Sequence, residues 1–478
     1  EYEKDLCHPA LPTEIYAVDS FGREIPTHLL SAQKEYYTHL QDYTSPEIYK
    51  VNRCKIAFNL PSFPYGLSAI TLRTKAAEPS VPSSTGLRIE NEFYVVSPDA
   101  TGSFSVTCKA TGTTFTGVGR LVDKGDAGDE YTYSWPLHDT VYTLESTAMK
   151  MCKTSVEGFS QSLSLVGIFK LPAALLPNRT ARESVLVDNP VRITAALHQN
   201  CDYVDFSVEF DNHAKDHILQ MEIPTGVKAA YSAASTAFAV TKHPMDFAIP
   251  QEWMELPLPT YPTHGFVDVS DDTGGVSVAC DGLNEYEAQN ENDESRLRIT
   301  LLRCVGWLSR VDLLTRKGNG GWCYETPEAQ CLGVQNFHLA VMYHRDSWQK
   351  AGTIAHADRF LHPPVLTPLF AVKNQVTLYN PLAILSELPH EIRLSACKQS
   401  EDGEGIVLRV FSIAEKTLEV VLHVGFAAAV YSCNLAEEER TPANYKNGIL
   451  RFFIDPGEIR TCYFTQLQKS AQEVERSI

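Results

Sequence analysis

The sequence lacks the short motifs that identify nucleotide sites, zinc ribbons and serine hydrolases. It contains no G-x-x-x-x-G-K-[ST] stretch, no G-x-G-x-x-G opening a strand–helix unit and no G-x-S-x-G elbow. Its 12 cysteines include no C-x-x-C pair, so the usual zinc-finger and thioredoxin spacings are absent. Many cysteines lie in apolar, strand-like runs, which favours buried free thiols in a reducing compartment, although spacing leaves disulfide pairing open.

Basic clusters and long apolar runs are also scarce. The 59 acidic residues outnumber the 41 Lys and Arg residues, and the formal net charge is −18. Such a field repels phosphate backbones, so a nucleic-acid partner is not expected. The apolar run "VGFAAAVY" is far too short to cross a bilayer, and no signal peptide is visible. We therefore expect no membrane partner and a cytoplasmic location.

The sequence does contain a succession of period-2 patterns. In "YVDFSVEF" four apolar residues alternate with polar ones, and "HILQMEIP", "RLRITLL" and "TLEVVLHV" follow the same rule. Because side chains alternate between faces along a strand, each pattern predicts a half-buried strand. Many such runs bounded by Gly, Pro, Asn and Asp predict a mainly β protein built from β-sandwiches.

Helical signals are few. The segment from Asp346 to His362 is the best candidate, with Asp346 or Ser347 as its cap and two prolines after it. "SAQKEYYTHLQDY" is a weaker candidate, because its apolar positions form no clean stripe. His356 and Asp358 are two apart, a spacing that places metal ligands together only on a strand. On a helix these two side chains diverge, which favours a polar helix face over a metal site.

Two Pro-rich stretches, 76–86 and 362–370, are predicted linkers. The first also contains three serines and ends in a glycine, and the second follows the best helix candidate. They divide the chain into three predicted domains, residues 1–80, 81–365 and 366–478.

Candidate chemistry is concentrated first in "GDAGDEYTYS", residues 125–134. Its carboxylates, Asp126, Asp129 and Glu130, are compatible with a glycosidase acid–base pair, an oxygen-ligand cluster or an acidic turn. The spacing matches no calcium loop, and composition favours the turn. Tyr131 and Tyr133 would share one face if the segment were extended, which suits sugar contact and core packing equally.

A second concentration lies between Leu301 and Cys331. Aromatic faces and arginine forks are typical of carbohydrate sites, because sugar C–H faces stack on rings and sugar hydroxyls bind charged groups. A loop whose aromatics close one end of a sandwich explains the same composition, and both interpretations stay open. The residues concerned are Arg303, Trp307, Arg310, Arg316, Trp322, Tyr324 and Glu325.

Several motifs resemble the C-terminal β-region of glycoside hydrolase family 38, the α-mannosidases and mannosylglycerate hydrolases. "LRIENEFYVVSPDATGSFSV" followed by "GDAGDEYTYS" is similar to the family's "ENEFY" strand, "DGS" hairpin and "GD-x-GD-x-Y" loop. "NHAKDHILQMEIPTG", "ETPEAQCLG", "LSACKQSEDGEGIVLR" and "DPGEIRTCYF" resemble later motifs in the same order. The resemblance runs from about Phe58 to Phe464.

The resemblance implies stacked β-sandwich domains, including a large supersandwich, with few helices. Family 38 enzymes perform their chemistry in an N-terminal α/β barrel, which carries an H-x-D-x-x-W zinc motif and a nucleophilic aspartate. None of these motifs occurs here, and the chain opens with "EYEKDLCHPA" rather than Met. We therefore expect the β-portion of a zinc-dependent retaining α-mannosidase-like hydrolase. It would be inactive alone, with no catalytic residue, metal ligand or cofactor in this chain and with zinc in the missing catalytic domain.

The family also implies residues that reach the sugar. Tyr131 matches a loop tyrosine that contacts it, Asp129 lies in the same loop, and Arg303 or Arg310 corresponds to an arginine from a later β-loop. The implied partners are the chain's own N-terminal catalytic barrel and a mannose-containing carbohydrate, with a homo-oligomer left open. The alternative is an independent carbohydrate-binding or scaffolding β-sandwich protein whose site surrounds Trp307 and Trp322.

Overall fold

The computed structural model describes residues 14–19, 22–39, 47–60, 66–67, 70–75, 86–145, 149–156, 158–250, 252–366, 382–383, 388–424 and 427–466. Strands account for 57% of the structure and helices for 4%, which confirms the prediction of a mainly β fold with few helices. Neither helix in these ranges has the length and apolar character that a bilayer span requires.

The strands, numbered along the chain, are β1 (Glu14–Asp19), β2 (Glu24–Ile25), β3 (Thr27–His39), β4 (Glu47–Phe58), β5 (Gly66–Leu67), β6 (Ile70–Lys75), β7 (Ile89–Glu90), β8 (Tyr94–Pro98), β9 (Phe104–Cys108), β10 (Thr113–Val118), β11 (Arg120–Gly125), β12 (Tyr142–Thr143), β13 (Met149–Val156), β14 (Ser160–Pro172), β15 (Leu186–His198), β16 (Val204–Asn212), β17 (His217–Pro224), β18 (Tyr231–Thr236), β19 (Ala239–Pro244), β20 (Thr260–Pro262), β21 (Phe266–Ser270), β22 (Gly274–Asp281), β23 (Glu285–Glu291), β24 (Glu294–Cys304), β25 (Gly333–Arg345), β26 (Leu382–Ala383), β27 (Ile392–Gln399), β28 (Gly405–Ser412), β29 (Leu418–His423), β30 (Ala427–Cys433), β31 (Thr441–Pro442), β32 (Tyr445–Lys446), β33 (Ile449–Ile454) and β34 (Ile459–Gln466). The helices are α1 (Trp348–Ala351) and α2 (Thr353–Leu361), and a 3-10 turn spans Pro327–Gln330.

The chain forms two compact units. The terminal unit comprises Glu1–Ser83, Val156–Phe159 and Leu366–Ile478, and the central unit comprises Ser84–Ser155 and Ser160–Val365. The predicted linker at 76–85 lies outside the described residues, and the division into 1–80, 81–365 and 366–478 stays a prediction.

In the terminal unit, a five-stranded sheet in the order β27-β28-β34-β30-β31 and a three-stranded sheet in the order β29-β33-β32 share a hydrophobic core. Three smaller sheets, β2-β1-β6, β3-β4 and β26-β5, complete it. "SAQKEYYTHLQDY", the weaker helix candidate, is strand β3 as far as His39, so the helix interpretation is wrong. Antiparallel pairing with β4 along nearly the whole strand accounts for the extended conformation.

The central unit is a sandwich of three sheets around one core. Their strand orders are β13-β14-β15-β16-β25-β22-β21-β18-β19, β12-β11-β17-β24-β23-β20 and β10-β9-β8-β7. Fully buried rings join the layers, since Phe104 of β9 meets Phe206 of β16 edge-on at a centroid distance of 5.7 Å. Each such side chain contributes about 1.5–3 kcal/mol of burial free energy relative to an exposed position.

Strand β16 behaves as its pattern predicts, with Val204, Phe206, Val208 and Phe210 in the core and the alternate residues toward solvent. Strand β17 does not, because seven of its eight residues are buried and both faces are covered. On its polar face, Glu222 accepts hydrogen bonds from Arg120, Arg296 and Arg298. Period-2 alternation therefore identifies this strand correctly and misjudges its exposure.

The best helix candidate is confirmed in position but is divided. Helix α1 ends at Gly352, which has a φ of 65° and caps α1 before α2 begins. Trp348 is buried, and its ring meets Phe266 of β21 at 5.8 Å, so the helical segment packs on the nine-stranded sheet.

All 11 cysteines among the described residues are free thiols, and four of them are buried: Cys108, Cys280, Cys304 and Cys462.

Candidate functional site

Residues 125–134, called the acidic loop below, follow β11 at one end of the six-stranded sheet. The backbone N–H of Ala127 donates to the carbonyl of Ser134 at 2.6 Å, and that of Asp129 donates to Thr132 at 3.1 Å. The stretch is therefore a tight turn. Gly128 is required there, because a Cβ at this position would lie 2.1 Å from the Thr132 carbonyl oxygen.

Asp126 supports the acidic loop from inside. Its side chain is fully buried, accepts backbone N–H groups of Gly128 and Ser134, and receives Arg303 Nε at 2.8 Å. Arg303 also donates Nη2 to the Asp129 carbonyl at 2.6 Å, while its side chain stays 19% exposed. Burial raises the pKa of Asp126 despite the nearby arginine. The predicted site residue Arg303 therefore lies at the loop, with its guanidinium engaged on two sides.

Asp129 is also closed to solvent. Its Oδ1 accepts the N–H groups of Tyr131 and Thr132, and its Oδ2 accepts the N–H of Arg310 at 2.7 Å. Arg316 adds Nη2 to Oδ2 at 2.5 Å and Nη1 to Oδ1 at 3.3 Å. Although burial by itself raises the pKa of Asp129, these hydrogen bonds hold it below its usual value. Five donors use the carboxylate fully, which suits a positioning role rather than direct contact with a ligand.

Tyr131 is the side chain that the acidic loop presents to solvent. It is 58% exposed, and its ring lies beside Gly320 and Gly321. A Cβ at Gly321 would lie 2.9 Å from the phenolic oxygen of Tyr131, so the absence of a side chain there gives the ring its place. Tyr133 takes a different course, half-buried near Lys124, whose Nζ is 5.9 Å from its ring centroid.

Arg310 lies beside the loop but is held by its own neighbours. Its Nε and Nη2 donate to the two oxygens of Asp312 at 2.8 and 2.7 Å, and its guanidinium lies 4.9 Å from the Trp307 ring centroid. The Asp312 hydrogen bonds raise the pKa of Arg310 further. Trp307 joins the acidic loop through its carbonyl, which accepts the Glu130 N–H at 3.0 Å. All four predicted site residues are therefore brought together, and Tyr131 is the most exposed of them.

A second network under the loop escaped the sequence analysis. His217 is fully buried, with Nδ1 2.5 Å from Asp123 Oδ2 and Nε2 3.1 Å from Asn212 Oδ1. Asn212 donates in turn to the Gln330 carbonyl at 3.1 Å. Asn212 and His217 lie in the family-like segment "NHAKDH", and Gln330 lies in "ETPEAQC". Neither segment by itself predicts that the two are in contact. Arg316 was noticed only as part of a cluster, since spacing does not show which carboxylate it pairs.

Next to the loop lies a cleft of about 370 Å³, called the aromatic cleft below. Its lining includes Lys215, Trp307, Glu325, Glu328, Gln330 and Leu332. Farther along the same segment, Trp322 and Tyr324 are 75% and 61% exposed, and their nearly parallel rings lie 6.3 Å apart. Exposed rings beside paired charges suit a hydroxyl-rich ligand.

Two family models match this chain. The "Glycosyl hydrolases family 38 C-terminal domain" covers residues 89–308, and the "Glycosyl hydrolases family 38 C-terminal beta sandwich domain" covers residues 391–462. The chain belongs to the C-terminal region of glycoside hydrolase family 38. The first match contains the whole acidic loop together with Arg303 and Trp307, so the family assignment and the site geometry concern the same residues.

Solved structures of family 38 share this fold. An alpha-mannosidase from Enterococcus faecalis V583 is similar with a TM-score of 0.81 and 23% identity, over 95% of this chain and 51% of that chain. A second Enterococcus faecalis family 38 structure has a TM-score of 0.77, 23% identity and coverage of 95% and 53%. A putative mannosylglycerate hydrolase from Halalkalibacterium halodurans is 24% identical over 410 residues, which are 82% of this chain and 43% of that protein. The chain spans about half the length of these relatives.

Proposed function

We propose that this chain is the β-portion of a zinc-dependent, retaining α-mannosidase-like glycoside hydrolase. In this proposal it supports a catalytic α/β barrel encoded outside the 478 residues and contributes Tyr131 to the edge of that barrel's sugar site. Arg303 and Arg310 lie beside the same edge, and Asp129 holds the acidic loop in shape. The family assignment and the length of the relatives support the proposal.

The observation that carries this proposal is that the acidic loop buries its two aspartates and exposes its tyrosine. Asp126 and Asp129 are fully buried and saturated by arginines and backbone N–H groups, so neither is available as an acid, base or nucleophile. The phenol of Tyr131 projects outward from the same turn. A loop with sequestered carboxylates and an outward hydroxyl suits sugar binding, because a phenol both donates and accepts hydrogen bonds.

The donors among the described residues do not form a zinc site. Among the described residues, no group of three or more His, Cys, Asp or Glu side chains is arranged to hold a metal ion. His356, the metal candidate on α2, instead pairs with Asp202. The proposal therefore assigns zinc and the nucleophile to the barrel and derives no step from them here.

The test is an activity assay of the 478-residue chain with an aryl α-mannoside, with and without added zinc. We expect no turnover, because the proposal places the nucleophile outside the chain. The same chain joined to a barrel encoded upstream, recognisable by H-x-D-x-x-W, should hydrolyse the substrate. Turnover by the isolated chain that survives repurification would contradict the proposal, as would an upstream frame without such a barrel.

The second candidate is an independent carbohydrate-binding or scaffolding protein. The exposed Trp322 and Tyr324 rings favour it, since paired rings form a platform on which sugar faces stack. Calorimetry with mannosides tests this candidate. Affinity of the isolated chain that is lost in Trp322→Ala would favour it over the first proposal, and affinity that does not depend on Trp322 or Trp307 would exclude this site.

A further inference from the structure

The outer face of the nine-stranded sheet carries a shallow groove of about 270 Å³. Its polar lining comes from three neighbouring strands, with Arg192 on β15, Ser207 and Glu209 on β16, and Asn336 and His338 on β25. These residues alternate with core residues, so all five side chains lie on the solvent side. The volume of this groove is smaller than that of pockets for drug-sized ligands, which measure about 300 to 1,000 Å³. A groove of this size suits a single small ring.

The charged groups in this groove are arranged to pair but do not. Arg192 stands directly opposite Glu209 in the antiparallel ladder, and Glu209 stands opposite Asn336 on the other side. Facing side chains in such ladders start about 4.5–5.5 Å apart, within reach of an ion pair. Yet within the described part of the chain these three side chains form no hydrogen bond or ion pair.

This contrasts with the six-stranded sheet of the same unit, where charged side chains of neighbouring strands are tied together. There Glu287 accepts from Arg298 at 2.6 Å and from Lys124 at 2.7 Å. The groove thus offers donors and acceptors that the protein itself leaves unused, side by side on adjacent strands.

One wall of the groove is held rigid. His338 Nε2 lies 2.8 Å from Asp205 Oδ1, and the other oxygen of Asp205 lies 2.9 Å from His198 Nε2. The His338 ring also packs against Phe360 of α2 at a centroid distance of 4.4 Å. Both contacts fix the imidazole beside the free groups of Arg192 and Glu209, so the wall is preorganised and a ligand need not order it.

We propose that this groove binds the ring of a neutral sugar, with Arg192 and Asn336 donating hydrogen bonds and Glu209 accepting them. The site lies on a different sheet from the acidic loop and is independent of the proposed function. Sugar hydroxyls donate and accept at neighbouring positions, which matches the alternation of an arginine, a carboxylate and an amide across the strands. The charges of Arg192 and Glu209 oppose each other, and His338 is paired with Asp205. The groove therefore has no excess of one charge, which favours a neutral hexoside over a sugar phosphate.

The test is saturation-transfer difference NMR on the full chain with methyl α-D-mannopyranoside, followed by the α-glucoside and α-galactoside. We expect weak binding, with a Kd on the order of 1 mM. Arg192→Ala and Glu209→Ala should each weaken binding at least fivefold, while Glu209→Gln should lose less because it keeps an acceptor. Lys170→Ala is the matched control, since this exposed lysine of β14 lies outside the groove lining and, among the described residues, forms its ion pair with Asp188.

One further readout decides the location of the sugar. Selective ¹³C labelling of histidine Cε1 should show a shift of the His338 signal on sugar addition, and this readout needs no groove variant to fold. Because His338 lies in the groove lining, its shift reports on sugar in this groove and separates this site from the acidic loop and the aromatic cleft. The proposal is overturned if no sugar binds at about 10 mM, which is about tenfold above the expected Kd. It is also overturned if Arg192→Ala and Glu209→Ala both bind the sugar as well as the unmodified chain does. Self-association that Arg192→Ala abolishes would likewise overturn it and assign the groove to a protein interface.

Discussion

Arg316 closes both oxygens of Asp129, with Nη2 2.5 Å from Oδ2 and Nη1 3.3 Å from Oδ1, across a sequence separation of 187 residues. Both side chains are buried, at 7% and 0% exposure. Arg316 donates further to Thr132 Oγ1 at 2.6 Å and so grips the acidic loop at two points. The segment around Arg316 therefore sets the shape of the turn that presents Tyr131.

Asp129→Asn should destabilise the central unit. The substitution leaves the buried Arg316 guanidinium without its counter-charge, and breaking such a pair from one side costs about 3–5 kcal/mol. Urea unfolding of the full chain measures the loss. Asp312→Asn is the matched control, because Asp312 pairs with Arg310 but is 54% exposed, and its loss should stay within about 1 kcal/mol. Equal effects of the two substitutions would show that burial of the Asp129 pair carries no special weight.

Tyr131→Phe in the intact enzyme should reduce activity while leaving folding unaffected. The phenol is largely exposed, so its removal from the free protein breaks no buried contact. A single lost hydrogen bond to a sugar hydroxyl is worth about 0.5–1.5 kcal/mol, which corresponds to a decrease of up to about tenfold in kcat/KM. Tyr231→Phe, at a partly exposed phenol on β18, serves as the control. Unchanged kinetics of Tyr131→Phe would show that the family-based assignment of this residue is mistaken.

Gly321→Ala should act through Tyr131. A Cβ at this position would lie 2.9 Å from the Tyr131 oxygen, so the ring must move, whereas the backbone needs no left-handed conformation there. We expect a loss of kcat/KM comparable to that of Tyr131→Phe, with an unchanged melting temperature. In the Tyr131→Phe background the same glycine substitution should cost less kcat/KM, because the phenol that it displaces is already gone, although the ring carbon Cε2 would still lie 3.1 Å from the new Cβ. Additive losses in the double variant would mean that Gly321 acts elsewhere.

Acid should destabilise the central unit through its buried carboxylates. Burial tends to raise the pKa of Glu222 and Glu287, but their arginine and lysine partners lower it below the usual value near 4.3 by a larger amount. A depressed folded-state pKa adds stability above the unfolded pKa, and that stability is lost as the pH falls through the folded pKa. We expect the contribution of these two glutamates to the melting temperature to be level between about pH 7 and 5 and to fall below about pH 4.

Glu287→Gln separates this network from Asp126, whose raised pKa acts in the opposite direction. The variant should be less stable at neutral pH because it leaves Lys124 and Arg298 short of a counter-charge. Its melting temperature should depend less on pH between about 5 and 3 than that of the unmodified chain. Calorimetric scans of both proteins check this, and parallel pH profiles would contradict the role given to Glu287.

Much of the fold follows from local patterns. Alternation in "YVDFSVEF" predicts both the strand and its buried face, because the core covers one side of β16 and solvent the other. The same reasoning fails for the exposure of β17, where Arg120 and Arg298 of the neighbouring strands β11 and β24 pair with Glu222 on the polar face. It also fails for the weak helix candidate in β3, since only pairing with β4 decides between two poor local preferences.

The sequence by itself determined that the chain is mainly β, that a tight acidic turn follows β11, and that its motifs belong with family 38. These features depend on residues close together in the chain, where side-chain alternation and turn chemistry act directly. Only the tertiary structure decided which groups of that turn remain free. Arg303 is 177 residues from Asp126 in the sequence, and Arg316 is 187 residues from Asp129. These arginines help to bury the two carboxylates and leave Tyr131 exposed. Spacing along a chain carries no record of such pairs, because sheet register and loop packing bring them together.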